Sequence, residues 1–145
     1  MRSDAIHGEV ADSEWAEFIA KLEDAEHKFA QGRPAAFKAL WSHHDDASIC
    51  GAFGGTESGW KNVAARLDSA SSQFSEGTRS REEIRSAVGA EFAYLVQTEH
   101  IRFRVPGRTE KSTLDLRVTM VFRREAAGWR IVHRQADSQK STELP

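Results

Sequence analysis

The stretch Leu114-Asp115-Leu116-Arg117-Val118-Thr119-Met120-Val121-Phe122-Arg123, continuing through Arg124-Glu125-Ala126-Ala127-Gly128 to Trp129-Arg130-Ile131-Val132-His133-Arg134-Gln135-Ala136, decides the fold. Leu114, Leu116, Val118, Met120 and Phe122 alternate with Asp115, Arg117, Thr119, Val121 and Arg123, the period of two that sends successive side chains to opposite faces of a β-strand. The short Glu125-Ala126-Ala127-Gly128 connection is that of a hairpin, so Trp129 to Ala136 returns as an antiparallel partner. Two registers are open. A longer turn puts His133 and Gln135 on the face of Arg117 and Thr119, and a turn one residue shorter puts them with Val118 and Met120. The first is preferred, because it gathers Arg117, Thr119, His133, Gln135 and Asp137 at one end of a face whose other end carries Val121, Ile131 and Trp129.

Upstream, Phe92 to Val105 reads as another strand, left through Pro106-Gly107, and Glu82 to Val88 as a weaker one. The first half changes period. Trp15, Phe18, Ile19, Leu22, Ala25 and Phe29 follow the i, i+3, i+4 spacing of a helix over about 13 to 31, with Glu26 the one polar residue on that stripe. Asp12 or Ser13 is its expected cap and Gly32 its stop. Pro34 opens a short second helix carrying Phe37, Leu40 and Trp41, and Ala47 to Phe53 is a short strand ended by Gly54-Gly55. Trp60, Val63, Ala64, Leu67, Ala70 and Phe74 form a third helix between a Ser58 cap and a Gly77 stop. Residues 1–12 are expected to be an N-terminal extension, 13–137 one domain and 138–145 a polar tail. Helices first and antiparallel strands afterwards predict an α+β fold, a cone-shaped curved antiparallel sheet with three N-terminal helices enclosing a pocket.

The 145 residues suit one domain, and 20 Lys and Arg against 22 Asp and Glu leave a net charge of -2. That balance lacks the positive footprint by which proteins hold phosphate backbones or anionic lipid, so no nucleic-acid or membrane partner is expected. A lone Cys50 excludes an intramolecular disulfide framework and a multi-thiolate metal site. The N-terminal MRSDAIHGEV has no apolar h-region and the longest apolar run is Phe92-Ala93-Tyr94-Leu95-Val96, so a cytoplasmic protein is expected. No cofactor is expected, since neither Gly54-Gly55 nor Gly59 has nucleotide-binding spacing.

Particular stretches carry a resemblance that covers about 13 to 137. They are Phe29-Ala30-Gln31-Gly32-Arg33-Pro34, Leu40-Trp41 with Asp45-Asp46, Gly54-Gly55 with Gly59, and the run from Leu116 through Phe122-Arg123-Arg124-Glu125 and Gly128-Trp129 to Arg134. Together they resemble the SnoaL-like branch of the nuclear transport factor 2-like superfamily, the ketosteroid isomerase-like or cystatin-like cone. The resemblance implies the fold more specifically than the function, because this fold hosts isomerases, dehydratases, cyclases, hydrolases and non-catalytic modules. Alignment to ketosteroid isomerase puts Ala25 near the catalytic Tyr, Gly51 at the base and Met120 at the oxyanion acid, so that mechanism is not expected.

Two functions from different classes follow. The first is a protein that binds a small, largely apolar molecule in the cone, with general acid–base activity of the isomerase, dehydratase or hydrolase type. The alternative is a non-catalytic ligand-sensing or oligomerisation module, similar to the association domain of calmodulin-dependent kinase. The residues do not decide between enzyme and module. If the polar face lines the cavity, His133 moves a proton near neutral pH and Arg117 holds a carboxylate or developing oxyanion, with Asp46 at the mouth of the first strand as a third catalytic candidate. Trp41, Phe53, Tyr94, Thr119 and Gln135 are the candidate substrate contacts. The plainer alternative makes the same residues a network that fixes strand register, with Arg117 paired to Asp115, Asp137 or Glu99. Asp115-x-Arg117 also resembles, in reversed order, the carboxylate–arginine arrangement of limonene epoxide hydrolase, with Asp137 or Glu99 as the second carboxylate. His43-His44-Asp45-Asp46 is read as a solvated loop and not a metal site, since adjacent side chains do not readily converge on one ion. The resemblance further implies a homodimer through the outer sheet face, for which the apolar row Leu114 to Phe122 gives a motive.

Overall fold

The computed structural model describes residues 2–139, with side chains from residue 13 onward. Helix α1 (Arg2–Phe29) buries Phe18, Leu22, Ala25 and Glu26, the stripe that the 3.6-residue period marks out. It begins well before residue 13, so Asp12 and Ser13 lie within the helix and do not cap it. Gly32, at φ +81°, ends the turn that follows: its N–H donates to the Phe29 carbonyl and the Arg33 N–H to the Lys28 carbonyl. Helix α2 (Ala35–Ala39) follows Pro34 and buries Phe37.

Strand β1 (Ser48–Cys50) is shorter than expected, because the chain turns at Gly54-Gly55 and returns as β2 (Thr56–Ser58), an antiparallel hairpin that the glycines had marked only as a strand end. Helix α3 (Trp60–Ser71) buries Val63 and Leu67. It stops before Gly77, which lies inside β3 (Ser75–Val88), a strand that starts at Ser75 instead of Glu82. Glycine is required there by contact: a Cβ at residue 77 would lie 2.0 Å from the Ala30 carbonyl oxygen. Strands β4 (Phe92–Arg104), β5 (Lys111–Glu125) and β6 (Gly128–Ser138) complete a six-stranded sheet in the order β2-β1-β6-β5-β4-β3. All pairs are antiparallel except β1 with β6. Residues 140–145, most of the expected tail, lie outside the described residues.

The β5–β6 register comes about in an unexpected way. Glu125 pairs with Gly128, so the turn is the short one, which alone would put His133 and Gln135 beside Val118 and Met120. A bulge intervenes. Phe122 pairs with Ile131 but Val121 pairs with His133, leaving Val132 as an extra residue on β6. Beyond it Thr119 faces Gln135 and Arg117 faces Asp137, the first of the two registers.

The helices cover the other face of the sheet from the one expected. Leu116, Val118, Met120 and Phe122 of β5 are buried in one cluster with Ala93, Leu95, Ile101 and Phe103 of β4 and with Phe18, Leu22, Val63 and Leu67 of the helices. The apolar row is therefore the inside of the cone and not an outer dimer face. The physical reason is that helices bring only apolar stripes to the sheet, and the face with more apolar area gains more by meeting them. At the closed end of the cone Trp15, Phe18 and Trp129 meet around Phe122, with Trp15 edge-on to Phe122 at 5.0 Å between ring centres.

Candidate ligand-binding site in the cone

At the opposite end the helices and sheet leave a cavity of about 80 Å³, room for a few waters or one compact organic molecule. Its walls are apolar: Phe29, Phe37, Ile49, Leu67, Phe74 and Leu116 all face it. Its mouth lies at the β1–β2 loop, where Gly51, Ala52 and Phe53 line it and Phe53 is 60% exposed. Arg66 of α3 reaches the same loop and donates to the Gly54 carbonyl.

The floor is ionic. Inward-facing positions of three strands bring Arg79 (β3), Glu99 (β4) and, across β5, Arg134 (β6) to the cavity, and α1 adds Glu26. Glu99 is 1% exposed and accepts from Arg134 at 3.0 and 3.1 Å and from Gln97 at 2.7 Å, while Arg79 Nη2 lies 3.2 Å away. Burial alone would raise the Glu99 carboxyl, but the charges of Arg134 and Arg79 and the donated hydrogen bonds together outweigh it and bring it down to about 2. Burial pulls the Arg79 guanidinium below its ordinary value, and the Glu99 charge opposes that. Glu26, 5% exposed, contacts Arg79, and its Oε1 has no hydrogen-bond partner. Around this core Arg81 donates to Gln97 and to Glu23.

Most residues singled out from the sequence lie elsewhere. Arg117, Thr119, His133 and Gln135 share the outer face of the sheet, where Arg117 donates to Asp137 at 2.7 Å and His133 Nδ1 shares a 2.7 Å hydrogen bond with Ser48. Asp115 is on that face as well, 2.6 Å from His100, so the Asp115-x-Arg117 pair does not line the cone cavity. Tyr94 is an exposed outer-face residue, and Trp41 is buried in the core against Phe37. Asp46 sits on the surface, chelated by both terminal nitrogens of Arg123. That guanidinium also binds Glu125 and Ser42, and Asp46 is held below the usual carboxylate range chiefly by the Arg123 hydrogen bonds. Phe53 alone of the eight lines the cavity. His43 stacks on Trp60 at 4.0 Å, and among the described residues no three His, Cys, Asp or Glu side chains are grouped to hold a metal ion. Ala25 and Met120 do not line the cavity; Gly51 does, and offers no acid or base there.

The sequence carried partial signals for the floor. Glu26 stood out as the polar residue on the apolar stripe of α1, and Arg134 lay within the motif that carried the resemblance. Arg79 had no signal, because β3 was expected to begin after it.

A curved, unclosed sheet wrapped around a cavity by N-terminal helices defines the nuclear transport factor 2-like, cystatin-like α+β class. Residues 19–137 match the model of the SnoaL-like domain, and the chain belongs to that family. Among solved structures it is similar to a protein assigned as a dehydratase of the nuclear transport factor 2-like family from Streptomyces avermitilis. The TM-score is 0.76 at 17% identity, over 90% of this chain and 99% of that one. A nuclear transport factor 2-like superfamily protein from Salmonella enterica gives 0.72 at 19% identity, covering 98% and 96%. A protein assigned as a calcium/calmodulin-dependent protein kinase type II association domain from Thiobacillus denitrificans gives 0.69 at 19%, covering 85% and 93%. No curated protein sequence matches the chain. No helix among the described residues is long and apolar enough to cross a membrane.

Proposed function

We propose that the chain binds a small, largely apolar organic molecule inside the cone and that Glu26 exchanges a proton with it. The observation that carries this reading is an apolar-walled cavity with a buried carboxylate whose Oε1 is unpartnered. An unpartnered acceptor out of water is costly unless a donor arrives, and a bound molecule with a hydroxyl or an acidic C–H meets that need. Glu99 is unsuited to the same role, because it is saturated by Arg134, Arg79 and Gln97 and is a very weak base. A neutral glutamine at 26 keeps the shape and removes the base. In a thermal-shift screen against single-ring aromatics, short-chain ketones and alcohols and small carboxylic acids, all compact enough for the cavity, one class is expected to raise the melting temperature of the wild type. Turnover of that class is expected to be lost in Glu26→Gln while binding persists. No shift with any class would overturn the reading.

One observation favours the alternative of a non-catalytic sensing or assembly module: the deep arginines are already paired to carboxylates. Binding without turnover would support it. Homodimerisation through the outer sheet face belongs to the same proposal, with Phe92 and Tyr94 exposed on β4 and Val96 and Val121 beside them. A monomeric mass by light scattering would remove it. A cytoplasmic location is proposed from the single cysteine, which suits a reducing compartment.

A further inference from the structure

Three arginines line the cavity, and their situations differ. Arg79 is flanked by Glu26 and Glu99, and Arg134 is paired to both Glu99 oxygens. Arg66 has no carboxylate partner among the described residues, and its one hydrogen bond goes to a neutral acceptor, the Gly54 carbonyl. The floor's charges thus cancel within the floor, while the mouth holds a half-buried guanidinium with no carboxylate partner among the described residues. The local glycines allow its approach: a Cβ at residue 51 would lie 2.5 Å from Arg66 Nη2, and one at residue 55 would lie 3.0 Å from Nη1. A guanidinium carries five N–H donors in a planar fork, so one bond to a carbonyl leaves most of its capacity unused.

We infer that the cavity selects small organic carboxylates, with the carboxylate held at the mouth by Arg66 and the apolar body inserted between Phe29, Phe37, Leu67 and Phe74. This rests on the reading that the cone binds a small molecule, and it fixes the class and orientation of that molecule. The carboxylate goes to the mouth and not to the floor, because a second anion beside Glu26 and Glu99 would meet two like charges. A charge-assisted bidentate contact favours the acid over its neutral analogue by about tenfold to a hundredfold in affinity.

The test is calorimetric titration of the full chain with benzoate and butyrate against their neutral counterparts benzamide and butyramide. The expected result is at least tenfold tighter binding of the acids to the wild type. That preference is expected to vanish in Arg66→Gln, where the amides bind unchanged, and to be largely kept in Arg66→Lys. Equal affinities of acids and amides for the wild type would overturn the carboxylate inference and leave the small-molecule reading standing. Binding of neither kind would overturn the inference and count against that reading too. A preference that survives in folded Arg66→Gln would place the carboxylate at another residue and also overturn it. The wild-type comparison needs no variant, so it decides even if a substitution impairs folding.

Discussion

The two faces of strands β4 to β6 carry the same chemistry in different media. On the outside Arg117 holds Asp137 at 2.7 Å, with side chains 61% and 50% exposed; on the inside Arg134 holds Glu99 at 3.0 Å, with 13% and 1%. Water screens the first pair and competes for its hydrogen bonds, so its formation changes little. The second pair is out of water, and each member is costly without the other. A salt bridge's position relative to the helices, more than its length, therefore decides whether the fold depends on it.

That contrast can be broken most sharply at Glu99. Glu99→Gln leaves the Arg134 and Arg79 guanidiniums buried around a neutral group, and the expected loss in urea-unfolding stability is about 3–5 kcal/mol. Met120→Ala, on the inner apolar row, is expected to cost about 2–5 kcal/mol by the same measurement, through lost burial and the void left behind. Gly77→Ala puts a methyl 2.0 Å from the Ala30 carbonyl oxygen, so the turn after α1 must shift, and stability is expected to fall by about 1–3 kcal/mol.

Acid acts on the inner pair. The Glu99 carboxyl lies lower in the folded chain, at about 2, than its ordinary 4.5, so its stabilisation is full above 4.5 and is lost as pH falls towards 2. Asp46 and Glu125 are also held low and add to acid sensitivity, Asp46 chiefly by the Arg123 hydrogen bonds; for Glu125, burial pushes upward but bonds from Ser42 and Arg123 prevail. The stability gap between wild type and Glu99→Gln should therefore narrow across that pH window, measured as unfolding midpoints at successive pH values. The smallest effect is expected outside: Arg117→Ala should change stability by less than about 1 kcal/mol, and a larger loss would mean that the outer face is covered.

Much of the fold was legible because it rests on local periodicity: the helical spacing of Trp15 to Phe29 and of Trp60 to Leu67, and the alternation of Leu114 to Arg123. Alternation separates two faces but does not say which one meets the helices. Placing the polar row inside moved Arg117, Thr119, His133 and Gln135 into a cavity they do not line. The true floor is assembled from β3, β4, β6 and α1, residues far apart in sequence, and no local pattern joins Arg79 to Glu26. The bulge at Val132 was equally silent, since it arises from pairing between strands and leaves no composition of its own. Glu26 was visible as an exception to a pattern, and its burial turns that exception into a candidate site.

The proposed binding pocket is the inside of the cone. Methyl-resolved NMR of the full chain in xenon-saturated buffer tests it without assuming any ligand, because xenon settles against the apolar walls of a cavity it can enter. Shifts are expected at the cavity-lining methyls of Ile49, Leu67, Leu116 and Ala136 and none at Val96 or Val121 on the outer face. Shifts confined to Val96 and Val121, or no shift at any methyl, would contradict it.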